Sequence, residues 1–237
     1  MINGLYKSKI LDFEVEYSNK AEFNNLRREI FDNQIYRIDS NQEDIKVIID
    51  IGSHIGLSLL YFYNLFPNAK IYACEPNLIS YEILRQNLKR NYLDKIISIN
   101  NLAVSKSSGK SKLYIDQSDN HWFSSSSLLK NGWNGKQDSF SIEVESIALE
   151  RLIEEYYEKY KEISLIKIDV EGYESRIFES IRKDSLKMVN NFLIEFHPQR
   201  GISLDSFTNS FKRVGFKLEV RDSYDDNDVL KVLYFYK

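Results

Sequence analysis

The sequence has little of what marks several large classes of protein. A single cysteine, Cys74, among 237 residues excludes an internal disulfide and a cysteine-rich zinc site. The 32 Lys and Arg residues are dispersed and are balanced by 35 Asp and Glu residues, for a formal net charge of -3. Because a nucleic-acid-binding protein usually concentrates basic residues in a patch, we expect no nucleic-acid partner.

Long apolar runs are also absent. The longest, such as Val47–Ile51 and Ile55–Phe66, are too short or too interrupted by polar groups to cross a bilayer. The first residues, Met1–Lys7, lack the basic-then-apolar order of a secretion signal. We therefore expect a soluble cytoplasmic protein without a membrane span.

Short apolar runs alternate with segments of helical spacing in the first half of the chain. Apolar, β-branched runs are typical of strands in a parallel sheet, and apolar residues every three or four positions are typical of helices. The predicted strands are Lys46–Asp50, Lys70–Cys74 and Lys95–Val104, separated by predicted helices at Gly56–Phe66 and Ser80–Asn91. This order predicts an α/β fold with a parallel sheet.

The second half continues the same pattern and ends in two strands. Predicted helices lie at Leu149–Tyr160, Glu174–Ile181 and Asp205–Val214, and predicted strands at Ser164–Val170, Phe192–Phe196, Phe216–Val220 and Val229–Tyr236. Because only a short acidic turn joins the last two strands, we expect an antiparallel hairpin at the sheet edge.

The pattern divides the chain into an N-terminal extension, residues 1–45, and a main domain, residues 46–237. The extension carries a predicted helix at Ala21–Phe31. A polar stretch, residues 117–139, interrupts the main domain between two short predicted strands, and loops of this length are usually functional or mobile. We interpret it as a lid whose aromatic side chains offer apolar faces to a bound ligand: Trp122, Phe123 and Trp133.

The clearest chemical signal is the spacing Asp50-x-Gly52-x-x-x-Gly56 between a predicted buried strand and a helix. Gly52 allows a sharp turn close to a ligand, and Gly56 allows close packing where the helix starts. The helix N-terminus adds free N–H groups and the positive end of a dipole. We expect a nucleotide-like ligand over this loop, in contact also with Ser53 and His54.

Two cofactor classes compete for such a loop. A dinucleotide fingerprint that starts at Gly52 requires glycine at two positions that hold His54 and Leu57 here, which disfavours a dehydrogenase. Asp50 instead favours S-adenosylmethionine, whose ammonium a carboxylate holds directly or through solvent. The alternative interpretation is that the loop binds no ligand and is an ordinary glycine-rich turn between a strand and a helix.

Residues at the ends of the next two predicted strands support adenosylmethionine. Glu75 ends the second strand, where a carboxylate accepts hydrogen bonds from both ribose hydroxyls. An acidic residue in this position is by itself a common surface cap, and the glycine loop upstream is what favours the functional interpretation. At the end of the third strand, we expect Asn101 and Ala103 to flank the adenine.

A second group of polar residues follows two later strands on the same predicted rim. Asp169 comes at the end of one strand, where we expect it to contact the amino acid end of the cofactor or the acceptor hydroxyl. Glu195 and His197 share one face of the next strand, because side chains alternate along a strand. Asp169, Glu195 and His197 would deprotonate an acceptor hydroxyl, or would bind a divalent metal that lowers the pKa of that hydroxyl. The alternative for His197 is a structural bond to the backbone at the end of its strand.

In order, these motifs resemble the FkbM-family methyltransferases. The resemblance covers about Glu29 to Pro198 and depends on Val47–Gly56, Glu75-Pro76, Leu102–Ser105 with Gly109, Ser126–Leu128, Ile166–Glu174 and Ile194–His197. It implies a Rossmann-like class I methyltransferase fold: a mostly parallel seven-stranded sheet with an antiparallel C-terminal strand and helices on both faces. It also implies O-methylation, often of sugars in polysaccharides, glycolipids or secondary metabolites.

Position by position, the resemblance implies cofactor contacts at Asp50, Gly52, Gly56 and Glu75 and places Asp169 beside the reactive centre. The glycine that the family often has at the fourth position of the loop motif is replaced here by Ser53 or His54. The predicted function is methyl transfer from adenosylmethionine to a hydroxyl of a glycan or glycosylated metabolite. The alternatives are a non-sugar small-molecule acceptor and a non-enzymatic nucleotide-binding module.

Overall fold

The computed structural model describes residues 4–116, 126–130, 139–199, 201–222 and 230–237, and within them the chain forms twelve β-strands and seven α-helices. The strands are β1 (Tyr6–Ile10), β2 (Phe13–Tyr17), β3 (Val47–Ile51), β4 (Lys70–Cys74), β5 (Ile97–Asn100), β6 (Ala103–Ser105), β7 (Gly109–Asp116), β8 (Ser139–Ala148), β9 (Ile163–Ile168), β10 (Val189–Phe196), β11 (Lys217–Asp222) and β12 (Lys231–Tyr236). The helices are α1 (Lys20–Arg27), α2 (Leu57–Leu65), α3 (Leu78–Arg90), α4 (Leu149–Tyr160), α5 (Glu174–Ile177), α6 (Lys183–Lys187) and α7 (Leu204–Lys212).

A seven-stranded sheet with the order β11-β12-β10-β9-β3-β4-β5 forms the centre of the molecule. Strands β10, β9, β3, β4 and β5 pair in parallel, whereas β12 is antiparallel to both of its neighbours. This arrangement confirms the predicted mostly parallel seven-stranded sheet with an antiparallel C-terminal strand.

Apolar residues on alternate positions of the strands face two separate cores. In β3 every residue is buried; Ile48 belongs to a core shared with α1, α2 and α3, and Ile49 belongs to a core shared with α4 to α7. A strand covered on both faces is expected to be apolar throughout, and this is the pattern on which the strand predictions depended. The predicted helices on both faces of the sheet are confirmed.

The predicted strand Lys95–Val104 is wrong as a single element. Strand β5 ends at Asn100, and β6 belongs to a second sheet with the order β6-β8-β7. Between them the side-chain amide of Asn101 donates hydrogen bonds to the carbonyls of Glu75 and Pro76. These bonds attach Asn101 to the turn that follows β4. The chain therefore leaves the central sheet directly after β5.

The predicted helix Glu174–Ile181 is shorter in the structure. Helix α5 ends at Ile177, and the following residues Phe178–Ser180 form a 3₁₀ turn. Likewise, the N-terminal helix predicted at Ala21–Phe31 is α1, followed by a π-helical turn at Arg28–Asp32.

The N-terminal extension also contains a hairpin, β1–β2, that the sequence did not predict. A buried asparagine, Asn87 of α3, attaches it to the main domain. Its side-chain oxygen accepts the N–H of Glu16 at 2.7 Å, and its amide donates to the carbonyls of Glu16 at 3.0 Å and Ile55 at 2.9 Å. One side chain thus ties the hairpin to the segment that precedes α2.

The predicted lid, residues 117–139, lies outside the described residues except for 126–130 and Ser139. Ser127 forms an antiparallel bridge with Tyr114 of β7. Among the helices that the structure describes, none is both long enough and apolar enough to cross a membrane.

Candidate active site

The loop after β3 and the loop after β9 meet at Gly52. The backbone of Gly52 has φ +77°, and a Cβ atom added there would lie 1.7 Å from the carbonyl oxygen of Asp169. The N–H of Asp169 donates to the carbonyl of Ile51 at 3.0 Å. Only glycine permits this approach, so the predicted cofactor loop and the predicted catalytic rim are brought into direct contact.

Hydrogen bonds also attach the cofactor loop to the end of β4. The N–H groups of Gly52 and Ser53 both donate to the carbonyl of Cys74, at 2.9 and 3.3 Å. Gly56 has φ +92°, and a Cβ atom there would lie 3.3 Å from Cγ of Leu84 in α3. Gly56 therefore allows α2 to begin close against α3, as its position in the motif predicted.

Glu75 is 6% exposed and holds the loop from the neighbouring strand end. Its Oε2 accepts the N–H of His54 at 2.8 Å, and its Oε1 accepts the N–H of Asn77 at 2.8 Å. Burial raises the pKa of Glu75 to about 7, although both hydrogen bonds act in the opposite direction. Each carboxylate oxygen has a second lone pair, which a ribose hydroxyl can use.

His54 and Asn101 turn their side chains toward the protein. His54 has φ +47°, and its Nε2 lies 3.6 Å from Glu22 Oε1 of α1, where burial lowers the pKa of the imidazole. Asn101 braces the turn after Glu75, and Ala103 is 2% exposed in β6. The side chains of His54 and Asn101 are thus used in contacts within the protein.

Asp50 is fully buried beneath the loop. Ser58 of α2 donates to its Oδ2 at 2.5 Å, and the ammonium of Lys167 lies 3.4 Å from its Oδ1. Burial raises the pKa of Asp50, against the attraction of Lys167 and the hydrogen bond from Ser58. Both oxygens thus face groups inside the protein, and Asp50 stabilises the loop from below.

Lys167, which the sequence analysis did not single out, lies between the two loops of the candidate site. It stands beside Asp50 in the β3–β9 register and its side chain is 3% exposed. Its ammonium donates to the carbonyl of Gly52 at 2.7 Å and lies 3.5 Å from Asp169 Oδ2. Burial alone would lower the pKa of Lys167, but Asp50, Asp169 and Glu195 outweigh it and raise the pKa. A charged residue within the short, mostly apolar strand β9 was the signal available in the sequence.

Asp169, Glu195 and His197 come together as the sequence predicted. One polar side-chain atom from each lies within 4.8 Å of the others. Burial and the neighbouring Asp169 raise the pKa of Glu195 to about 8. Glu195 also accepts a hydrogen bond at 2.9 Å from the hydroxyl of Tyr36, which the sequence analysis did not single out because it lies outside any predicted element.

His197 is held between two carboxylates, one in the loop after β9 and one in the first residue of α5. Its Nδ1 lies 2.9 Å from Glu174 Oε1, and its Nε2 lies 3.7 Å from Glu171 Oε2. Burial would lower the pKa of the imidazole, but Glu174 and Glu171 outweigh it and the pKa lies well above the usual value. Glu174 also accepts the N–H groups of Val170 and Gly172, so it organises the loop as well as the histidine.

The described part of the middle segment reaches the same rim from the other side. The hydroxyl of Ser127 donates to the carbonyl of Glu171 at 2.8 Å, and Asn77 donates to the hydroxyl of Ser126 at 2.9 Å. The segment 126–130 therefore bridges the turn after Glu75 and the loop after Asp169.

Comparison with known proteins gives a consistent result. The methyltransferase FkbM domain matches residues 50–218 of the chain. Methyltransferase sdnD of Sordaria araneosa is 27% identical over 205 residues, which cover 78% of each chain. Methyltransferase 1 of Beauveria bassiana is 24% identical over 206 residues, which cover 80% of each chain.

The fold is also found in a solved structure, that of methyltransferase FkbM from Methylobacillus flagellatus KT. It superposes with a TM-score of 0.58 at 16% identity, over 88% of this chain and 47% of that one. Our chain thus spans about half the length of that protein. The domain match alone covers more than half of our sequence. The chain therefore belongs to the FkbM family of methyltransferases.

Proposed function

We propose that this protein transfers the methyl group of S-adenosylmethionine to a hydroxyl oxygen of a sugar, in a glycan or a glycosylated metabolite. The observation that carries the proposal is the contact at Gly52, which joins the cofactor loop to the cluster of Asp169, Glu195 and His197. A methyl donor and a group that accepts a proton would then lie side by side, as direct transfer to a hydroxyl requires.

The cofactor is proposed to lie over the loop from Gly52 to Gly56. Glu75 would accept hydrogen bonds from the ribose hydroxyls, and Asp169, which is partly exposed, would face the cationic end of the cofactor. Asn101 and Ala103 would lie beside the adenine. Asp50 would act from below, through Ser58 and Lys167, because it has no exposed surface.

Glu195 is the proposed proton acceptor. A carboxylate with a pKa near 8 is a stronger base than an ordinary one and is still partly ionised at neutral pH. His197, whose raised pKa favours the imidazolium, would stabilise the ionised carboxylate. As the acceptor oxygen attacks, the C–O bond forms, the C–S bond breaks, and the hydroxyl proton moves to Glu195; the sulfonium becomes a neutral thioether.

Residues 117–139 are proposed to form a lid over the acceptor. The contacts of Ser126 with Asn77 and of Ser127 with Glu171 support this role, because they anchor the middle of the segment on both sides of the rim. Closing such a segment would exclude water from the transfer step.

A second candidate role for the cluster is to hold a divalent cation that lowers the pKa of the acceptor hydroxyl. Two carboxylates and an imidazole suit such an ion, and the Glu174 carboxylate on Nδ1 is a partner that metal-bound histidines commonly have. Activity that is lost in EDTA and restored by Mg²⁺ or Mn²⁺ supports this role. Full activity in EDTA leaves the carboxylates as proton acceptors.

The proposal is tested with labelled adenosylmethionine and a panel of acceptors. Sugar nucleotides, oligosaccharides and non-sugar hydroxy compounds are offered separately, and the methylated atom is located by fragmentation mass spectrometry. We expect adenosylhomocysteine to form together with an O-methyl sugar. Transfer to a non-sugar compound alone supports the alternative acceptor class, and a methyl group on nitrogen or carbon contradicts the proposal.

A further inference from the structure

Tyr36 approaches the proposed base from outside the domain that matches the family. Its side chain is 3% exposed, and its hydroxyl donates to Glu195 Oε2 at 2.9 Å. Its ring lies 5.5 Å from the ammonium of Lys167 and 6.2 Å from the ring of Phe62. Burial and the negative charge of Glu195 raise the pKa of Tyr36 well above its usual value, so the hydroxyl remains a donor.

Arg221 of β11 fixes the backbone on both sides of Tyr36. Its guanidinium donates to the carbonyl of Ile35 at 3.1 Å and also to the carbonyl of Arg37. Glu219 accepts from the same guanidinium at 2.8 Å, and the ring of Tyr234 lies 5.1 Å from it. A planar group with five donors can hold two carbonyls and a carboxylate at once, which a lysine cannot do.

We propose that Tyr36 is a positioning residue for the proton acceptor, and that Arg221 acts through it. The hydroxyl fixes one oxygen of Glu195, so that the carboxylate keeps a single orientation toward the acceptor. Without it, Glu195 faces Asp169, His197, Lys167 and Glu29, whose charges attract and repel it in different directions. A neutral donor from a rigid segment selects one orientation among these.

This inference rests on the proposed function, since it concerns the group that accepts the hydroxyl proton. It also extends the site beyond the family domain, because Tyr36 precedes residue 50 and Arg221 follows residue 218. Two segments that lie far apart in the sequence would thus complete a site whose other residues all lie within the matched domain.

The first test is Tyr36→Phe, which removes the hydroxyl and leaves the ring packed against Phe62. We expect kcat to fall about tenfold, a part of the 10²–10⁴ that a positioned base contributes. We expect the Kd for adenosylhomocysteine and the KM for the acceptor to stay within about twofold, because the hydroxyl donates to Glu195 and has no part in the proposed binding of either ligand. The matched control is Tyr17→Phe in the hairpin β1–β2: Tyr17 is 6% exposed and its hydroxyl shares a hydrogen bond with the hydroxyl of Ser8 at 2.9 Å, so kcat should not change.

The second test is a double-mutant cycle with Arg221→Met. This substitution should lower kcat by a smaller factor, about threefold to fivefold, in the parent enzyme. In the Tyr36→Phe background it should lower kcat no further, because Arg221 acts through the missing hydroxyl. Additive losses would show that Arg221 only stabilises the fold, and would overturn its part of the inference.

The outcomes separate this inference from the proposed function. If the parent enzyme methylates a hydroxyl and Tyr36→Phe is equally fast, the positioning role is wrong and the proposed function stands. If Tyr36→Phe changes KM and the cofactor Kd as strongly as kcat, the residue is structural and the inference is overturned. If the parent enzyme methylates no hydroxyl, the proposed function fails and the inference fails with it.

Discussion

At the scale of single residues, Lys167 brings a positive charge beneath the cofactor loop. It contacts Asp50, Asp169 and the carbonyl of Gly52, and its side chain is 3% exposed. A buried ion pair adds little net stability, but one partner left alone is strongly destabilising. Removing one of these charged groups should therefore destabilise the protein by more than the net stabilisation that the intact ion pair contributes.

Lys167→Met should lower the free energy of unfolding by about 3–5 kcal/mol, because Asp50 is left buried and without its cation. The double variant Lys167→Met/Asp50→Asn should recover most of this loss, since both charges are removed and the asparagine still accepts from Ser58. Urea denaturation of the three proteins measures the effect. A double variant as unstable as the single one would show that the charge of Asp50 is not the cause.

Glu75 should make cofactor binding depend on pH. In the proposed binding mode the ionised carboxylate would accept hydrogen bonds from both ribose hydroxyls, whereas the protonated carboxyl group would have one acceptor site fewer; burial raises the pKa of Glu75 to about 7. Affinity for adenosylhomocysteine should therefore rise as the pH increases to about that value and then level off. Below it, Kd should increase by up to about tenfold per pH unit.

Isothermal titration calorimetry across this range tests the dependence, with Glu75→Gln as the control. Glutamine has no proton to lose, so its weaker binding should no longer vary with pH around 7. A variant that keeps the pH dependence of the parent would assign it to another group of the site, such as Glu195.

At the scale of elements, the site depends on the contact between the loops that follow β3 and β9. Gly52→Ala would place Cβ 1.7 Å from the Asp169 carbonyl, so one of the two strand ends must move. We expect cofactor binding to be lost and the free energy of unfolding to fall by more than the about 1–3 kcal/mol that a positive φ alone costs a non-glycine residue.

Gly215→Ala is the matched control for this substitution. Gly215 has φ +98°, and a Cβ atom there would meet nothing within 4 Å, so only the backbone strain remains. In this variant the free energy of unfolding should fall by no more than about 1–3 kcal/mol. Its affinity for adenosylhomocysteine, measured by calorimetry, should equal that of the parent protein. If the free energy of unfolding fell equally in the two variants, the loss in Gly52→Ala would come from backbone strain alone and not from the contact between the loops.

The elements that the sequence predicted well are those whose signal is local. Strands β3 and β9 are mostly apolar and are buried along their whole length, and the glycines after β3 mark a turn that needs positive φ, so both features follow from a few adjacent residues. The end of β5 could not be predicted in this way, because it depends on bonds from Asn101 to a different turn. Tyr36 was missed for the same reason: its partner Glu195 lies 159 residues away.

At the scale of the whole molecule, segments from both ends of the chain converge on one rim. The N-terminal extension brings Glu22 to His54 and Tyr36 to Glu195, and β11 brings Arg221 to the segment around Tyr36. The extension is thus joined to the catalytic rim as well as to α3. Unfolding would therefore expose the buried carboxyl groups to water and disrupt the candidate site at the same time.

The pH dependence of stability should reflect these buried groups. Glu75 and Glu195 have ordinary pKa values of 4.5, raised to about 7 and about 8 in the folded protein, and the pKa of His197 is also raised. The folded state therefore holds protons that the unfolded chain has released. The stability they contribute is complete below the unfolded pKa values and is lost as the pH rises through the folded ones.

We therefore expect the free energy of unfolding, measured with urea and a chelator present, to fall steadily from about pH 5 to about pH 8. Glu195→Gln should flatten the upper part of this fall, because glutamine remains neutral throughout. Adenosylhomocysteine should oppose the fall through the lower part of the range, since it binds the ionised form of Glu75. A stability that rises over this interval would contradict the assignment, because carboxyl groups that lose protons more readily in the folded state give the opposite slope.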